Sequence, residues 1–500
     1  MKRVMALLIA AMMTLSCALV FAEETQRAPD YIMEGYDGDS SGHVWDTNLF
    51  FARMQERTGI SFQFRQFSTY EDWIERKAEI LRGENLPDVL FKASLTAGET
   101  RDMAAAGVII DLKPYLEEYA PDLWALLQAD EERLASITLP DGTIPALPAI
   151  NELQNNDLPW INREWLRNLR LEMPTTAEEL TEVLRAFKTG DPNRNGKADE
   201  IPLSFIGMWE LRFLGHAFGI IDNDYYMTCR DGQVTSSLTT DENRAFLTWL
   251  HQLWEENLLD HQGFTTVDTL RQITDTNTTV PYGMLLTTTP LTVVPAESAT
   301  KYQIMPPLKY EGKQIYRDLL GEVIRGTFAI TRECSEPEKL VAWVNYLYTD
   351  DGARLAQAGL EGEDYLMNED GTWEWMNDAT TVANVTLPEV TIVEGGSAPG
   401  ISPIAFQLTY SDEETRSYIT QMASMKEYDE VPYPLVFMTK EDEARAAELQ
   451  AVIAPYAEQR MAAFVTGDAE LTDANWNDFV NRLEELGLGE AVSLWQKYAR

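Results

Sequence analysis

The sequence predicts an α/β protein built on a largely parallel sheet. Three features carry that prediction. Short apolar runs, some alternating every second residue, are separated by longer stretches with helical spacing, so strand and helix take turns along the chain. Apolar residues make up 45% of the 500 residues, enough for a sizeable core. A chain of that length divides into two or three domains, and no repeat of fixed period suggests a solenoid instead.

The chain starts with a polarised leader. Lys2 and Arg3 precede an apolar run from Val4 to Ser16, and Val20-Phe21-Ala22 sets small residues at −3 and −1 of a cleavage site, so residues 1–22 read as a secretory signal peptide. Cys17 opens a second processing route, lipid attachment; Ser16 suits that motif and Thr14 departs from it. Both routes place the mature chain outside the cytoplasm, in the periplasm or at the cell surface.

The elements come in order. "ISFQFRQF" (60–67) alternates like a strand, "YEDWIERKAEILRGE" (70–84) has helical spacing, and "LPDVLFKAS" (86–94) reads as a buried strand leaving into a loop. Two helical stretches run to about residue 139, and "DGTIPALPAI" (141–150) is a turn with short strands. Residues 156–188 give a strand and two helices, the second capped by Thr175 or Thr176 with Glu178 and Glu179 in its first turn. "IPLSFIGMWE" (201–210) reads as a strand with an exposed end. "TTDENRAFLTWLHQLWEENLLD" is a capped amphipathic helix; its Trp249 and Trp254, like Trp343, have the spacing of core residues. "YGMLLT", "YQIMPPL" and "GTFAIT" (326–331) are short strands, and helices fill most of the remaining chain. Residues 365–435, rich in turns and acid, show no readable pattern.

Composition narrows the functions. A net charge of −41 makes nucleic acid and anionic membrane surfaces poor partners and argues mildly against a highly anionic ligand. Beyond Cys17 only Cys229 and Cys334 remain, which excludes a disulfide scaffold and favours two buried free thiols, with one long-range bridge left open. No run outside the leader approaches a membrane span.

"DPNRNGKADE" (191–200) is the most specific local signal. Asp191, Asn193 and Asn195 occupy positions 1, 3 and 5 of a calcium loop, Gly196 allows the turn at 6, the Lys197 carbonyl stands at 7 and Asp199 at 9. Alternate residues of such a turn aim hard oxygens at one centre, as Ca2+ requires. Position 12 is Pro202, so Glu200 is the candidate closing carboxylate, and the flanks read helix–loop–strand. A polar turn held by Asx hydrogen bonds is the plain alternative. The predicted role of the ion is structural.

"PWINREWLRNLRLEMPTTAEELTEVLRAFKTGDPNRNGKADEIPLSF" strongly resembles the extracellular solute-binding proteins of carbohydrate ABC importers, in the branch that holds the alginate-oligosaccharide-binding and Lpl-type lipoproteins. "NLPDVLF", "LPDGTIPALP", "GTFAITRECSEPEKLVAWVNYLYTDDG" and "GLEGEDY" resemble the same family, in order along nearly all of the mature chain. The resemblance implies a two-lobe type II periplasmic-binding-protein fold with a helical C-terminal segment. Lobe 1 would take 23–150 plus about 320–400, and lobe 2 would take 151–319 plus about 401–500 with the calcium loop. Two or three crossings, near 148–160, near 320 and late in the chain, would form the hinge. An oligosaccharide would bind between the lobes, and the closed form, a monomer, would dock on a membrane permease. No phosphate loop occurs, so the ATPase would be a separate subunit.

Sugars present apolar ring faces and hydroxyl edges, so their clefts need aromatic platforms and planar polar groups. The candidates are Tyr36, Asp37, His43 and Trp45 in the loop after the first strand; Phe91 and Lys92 at the end of another; Trp160 and Asn162 at the first crossing; Trp209 and Glu210 beyond the calcium loop; Arg325 near the second crossing; and Glu361, Tyr365, Trp373 and Trp375 later. Arg325 and Lys92 would suit a uronic carboxylate, whereas the overall acid balance leans towards a neutral sugar. The rival readings are a secreted glycosidase or lyase, a surface adhesin, and a binder of peptides or other solutes. Four His in the whole chain and no nucleophile signature speak against the enzyme.

Overall fold

The structure is a computed structural model that describes residues 29–38, 41–151, 153, 157–319, 322–376, 388–393 and 397–499. The leader and Cys17 lie outside the described residues. Two sheets organise the rest. The first has six strands in the order Gly400–Ile401, Leu147–Ile150, Val323–Ile330, Val89–Phe91, Tyr31–Tyr36, Phe62–Phe67. Tyr31–Tyr36 is parallel to both of its neighbours, and Gly400–Ile401 is parallel to Leu147–Ile150. Val323–Ile330 is antiparallel to the strands on either side, so this sheet is mixed. The strand returns from the second sheet and therefore runs against strands that point towards it, which periodicity along a sequence does not reveal.

The second sheet departs further from the parallel expectation. Leu158–Asn162 is antiparallel to Met284–Thr287 and to Tyr302–Ile304. Residues 201–210 are not a strand: Ile201 and Ser204 make isolated parallel bridges to Tyr282 and Leu285, and a helix, Gly207–Leu211, comes next. Pro202 offers no N–H to a ladder, and Gly207 at φ +64° turns the chain. Among the described residues the polypeptide changes sheet three times: between Ile150 and Leu158, between Arg317 and Val323, and between Ile401 and Glu413.

Helices cover both sheets. Thr69 caps Tyr70–Leu81, and Thr96 with Glu99 closes a capping box on Ala97–Ala105. Of the two threonines, Thr176 caps Ala177–Thr189 by accepting the Glu179 N–H. Val89, Phe91, Phe328 and Ile330 pack on one face of the first sheet; Leu90 and Ala329 pack with Trp73 on the other. The second core is larger and joins Leu184, Phe187, Phe205, Trp249 and Leu250 to Phe464 and Phe479 of the C-terminal helices. Within the unread stretch lie a hairpin of Tyr365–Met367 with Trp373–Trp375 and a helix, Glu413–Met425. Both described thiols are free, with Cys334 buried and Cys229 half-buried. Among the described residues no helix is long and apolar enough to cross a membrane.

Candidate functional site

The directions of the strands define a facing pair of edges. In the first lobe Ile150 ends its strand beside Val323, the first residue of the returning strand. Leu95, just past Val89–Phe91, donates its N–H to Gly326 at the same end. In the second lobe Leu158 pairs with Thr287, the last residue of Met284–Thr287, and the bridged stretch 201–204 runs the same way. Both lobes thus turn strand C-termini towards the crossings, where open α/β sheets hold ligands.

These edges carry exposed apolar side chains. Tyr70 and Ile74 start the helix after Phe62–Phe67 and are 47% and 48% exposed; Trp209 is 44% and Leu270 74% exposed on the other lobe. Tyr36 meets Tyr70 edge-on at 5.4 Å. A cavity of ≈ 340 Å³ at the crossings is lined from both sides, by Ile150, Ile324, Gln357 and Ser402 and by Tyr418 and Met422 of helix Glu413–Met425. Tyr418 also lines a second cavity of ≈ 570 Å³ with Trp160, Arg163, Tyr302 and Tyr410. The Trp160 and Tyr418 rings stack at 5.7 Å and 4°.

The residues singled out in the sequence fall into distinct places. Tyr36 and Trp209 lie on the edges. Asp37, His43, Trp45, Phe91 and Lys92 do not: all five are interior. The Asp37 carboxylate accepts from His43 Nδ1 (3.0 Å) and Trp45 Nε1 (2.8 Å) and pairs with Lys92 Nζ (2.9 Å). Phe91 packs against Trp45 and Trp343. They brace the edge from beneath, and Lys92 has its carboxylate within the fold. Glu210 is also buried, paired with Arg271 by two hydrogen bonds of 2.8 and 3.0 Å, and burial pushes its carboxyl up to about 7 against the pull of Arg271. Trp160 is 2% exposed and donates Nε1–H to the Thr287 carbonyl. Asn162 is spent capping helix Arg163–Leu169. Arg325 donates to the Val436 carbonyl at 2.9 Å and lies 4.9 Å from the centre of the Phe437 ring; burial lowers its guanidinium to about 10.

Tyr365 and Trp373 pack with Phe406 in an aromatic cluster that adjoins the second cavity through Tyr410, 4.5 Å from Trp373, with Trp375 half-buried on it. Glu361, exposed, bridges to Tyr365 and lines neither cavity. The sequence reading missed Tyr302, Tyr410 and Tyr418 at the cavities and Tyr70, Leu270 and Arg271 at the edges. Tyr70 comes directly after a strand, the same signal that pointed to Tyr36.

The loop at 191–200 folds around its first carboxylate. Both Asp191 oxygens accept the Gly196 N–H, at 3.3 and 3.2 Å. Asn195 Nδ2 donates to Asp199 at 2.9 Å, and the Asn193 and Asn195 amide oxygens each accept a backbone N–H two residues on. Among the described residues no three His, Cys, Asp or Glu side chains converge closely enough to hold a metal. The donor set here is mixed, with two amides and the Lys197 carbonyl beside Asp191, Asp199 and Glu200. Glu200 Oε1 is buried without a hydrogen-bond partner, and burial, Asp199 and Asp191 all raise its carboxyl. An orphaned acceptor among hard oxygens fits a divalent cation.

No family model matches the chain. Over 98% of its length and 97% of the relative's, it is 28% identical to the fructooligosaccharide ABC transporter substrate-binding protein FusA of Streptococcus pneumoniae. The structure of that protein in complex with kestose superposes with a TM-score of 0.70 at 25% identity, covering 94% of this chain and 98% of that one. FusA has also been solved as an EF-hand mutant in complex with fructo-nystose. An extracellular solute-binding protein from Bifidobacterium longum subsp. infantis shares the fold, with a TM-score of 0.77 at 21% identity over 95% of this chain and 99% of its own.

Proposed function

Because the chain is homologous over nearly its whole length to the carbohydrate substrate-binding proteins of ABC transporters, we propose that it is the extracytoplasmic substrate-binding component of such a transporter. It captures an oligosaccharide between two lobes, closes by a hinge at the three crossings and delivers the ligand, as a monomer, to a membrane permease driven by a separate ATPase. The observation that carries this reading is the geometry of the edges: both sheets turn strand ends and exposed aromatic and apolar side chains towards the same crossings. Lobe 1 takes the described residues of 29–150 and 322–401, and lobe 2 those of 157–319 and 413–499. The likeness to a fructooligosaccharide binder favours a neutral ligand, and so does Asp37 already holding Lys92. Residues 191–200 hold a structural Ca2+ through Asp191, Asn193, Asn195, the Lys197 carbonyl, Asp199 and Glu200, tying helix Ala177–Thr189 to the strand-like bridges at 201–204.

Calorimetric titration of residues 23–500 with neutral and uronic oligosaccharides, followed by chromatography of the mixture, tests the function. Micromolar or tighter binding of a neutral class with no product is expected; product formation would overturn the reading in favour of an enzyme. Melting with Ca2+ and then with chelator tests the loop. A ligand that binds only the folded state raises stability by RT ln(1 + [L]/Kd), so chelation should lower the melting temperature. An Asp191→Ala variant that melts like the parent in excess Ca2+ would return the loop to a polar turn.

A further inference from the structure

The exposed Trp209 stands on a short helix whose inner face, Met208 and Leu211, is buried in the second core. Gly207–Leu211 spans five residues, too few to hold its own geometry in water. The core holds that inner face, and the outer, Trp209 side is tied down by the next side chain. Glu210, 1% exposed, accepts the Ile206 N–H at 2.6 Å, clamping the start of the helix, and receives both terminal nitrogens of Arg271. Arg271, 3% exposed, ends helix Asp268–Arg271, which carries the exposed Leu270. Its Nη1 also reaches the Leu286 carbonyl at 3.4 Å, and its own carbonyl accepts the Tyr282 hydroxyl at 3.0 Å. One guanidinium therefore joins the helix of Trp209, the helix of Leu270 and the strand Met284–Thr287.

We propose that Arg271 is a positioning residue for the ligand, acting through its pairing with Glu210 to hold Trp209 and Leu270 in place, so that ligand affinity depends on the ionisation of that pair. This rests on the proposed function. The ionised pair makes two charge-assisted bonds; a protonated Glu210 keeps at most one good acceptor for Arg271 and loosens the tie between the Trp209 side of the helix and Arg271. The surroundings make that proton accessible near neutrality. Burial dominates at Glu210 and Asp157 adds to it, against Arg271 and the Ile206 N–H, leaving the carboxyl at about 7. The other groups facing the pair are Asp268, 3.7 Å from Arg271 Nη2; Asp157, which is itself raised by burial and by Asp268 while Arg271 and Arg317 lower it; and Tyr282, whose phenol burial and Asp260 raise against Arg271.

The test is the affinity for kestose, measured calorimetrically from pH 5.5 to 8.5. The parent should bind with constant affinity above pH 7 and lose up to about tenfold per pH unit below it, the limit for one linked proton. Glu210→Gln should bind independently of pH, near the parent's affinity at the acid end, while Asp157→Asn should keep a pH-dependent profile whose midpoint moves towards acid, because Asp157 no longer raises Glu210. Arg271→Lys retains the charge without the fork and should restore only part of what Arg271→Ala loses. A flat profile in the parent, or a profile that survives Glu210→Gln, overturns the proposal and leaves the binding function standing. No affinity for any saccharide at any pH overturns the function first and this inference with it.

Discussion

In the first lobe, Asp37 comes after a strand end and gathers Lys92, His43 and Trp45; in the second, Glu210 comes after a strand-like stretch and gathers Arg271. Each site is a buried ion pair beneath the crossing-facing edge of its sheet, yet their acids shift in opposite directions. Burial raises the carboxyl at Asp37, but the His43 bond, the Lys92 charge and the Trp45 bond together outweigh it and the net shift is downward. At Glu210 burial wins. A roof accompanies the difference. Lys92 also donates to the Ile392 carbonyl, and Asn48 donates to the carbonyls of Pro388 and Thr391, so residues 388–393 seal the first cluster. Beside the second cluster, Trp209 remains open. A strand-end charge with enough partners becomes part of the scaffold, and one with fewer partners beside an open aromatic remains responsive.

Breaking the first cluster should have the largest effect. Asp37→Ala removes the carboxylate that Lys92, His43 and Trp45 share, and stripping one partner from a buried charge pair costs about 3–5 kcal/mol. Urea unfolding should show that loss. A cost under about 1 kcal/mol would mean that the cluster opens to water and that the contrast with Glu210 is false. Trp209→Ala should act the other way round. It removes an exposed ring, so the melting temperature should stay within about 1 °C, while saccharide affinity falls roughly 10- to 30-fold, the range of an interface anchor. Equal affinity in this variant would move the ligand away from the second lobe's edge and towards Tyr418.

The same pair of regions shows what a sequence can convey. The strand and helix order was legible because alternation and helical spacing are local, and so was the calcium-type loop, whose residues are consecutive. Asp37 and Lys92 looked like ligand groups because both leave strands. Their burial depends on residues 388–393, some 300 positions away, and no local pattern carries it. The direction of Val323–Ile330 was hidden for a similar reason, since it depends on where the chain has been. Residues 365–435 were unreadable because their strands are two or three residues long, too short for alternation to register. Helix Glu413–Met425 was readable in principle: Asp412 caps it, with Glu413 and Glu414 in the first turn. Reading that cap would have placed Tyr418 on a helix near the last crossing.

The crossing itself offers an intermediate case. Asp429 pairs its strand with Tyr316–Arg317, and its carboxyl is pushed up to about 7 by burial and by Asp318 and Glu322, with Lys426 opposing. Among the described residues it has neither the set of donors that Asp37 has nor an arginine partner such as Glu210 has. Glu322 takes the nearby cations instead, Arg133 from the first lobe at 2.6 Å and Lys426, the residue that follows helix Glu413–Met425. The folded chain thus holds a proton on Asp429 that the unfolded chain has released. The associated stability is fully present below the ordinary carboxylate value of 3.8 and is lost as pH rises through about 7. Asp429→Asn is neutral at every pH. It should match the parent's stability near pH 4 and gain on it up to pH 7, with a constant advantage above. Partial exposure and solvent screening keep that advantage near about 1 kcal/mol, or 1–2 °C in melting temperature. An advantage that is equal at pH 4 and pH 8 would show a packing effect of the substitution, and a loss at pH 8 would show that Asp429 is ionised and paired with Lys426, as Asp37 is with Lys92.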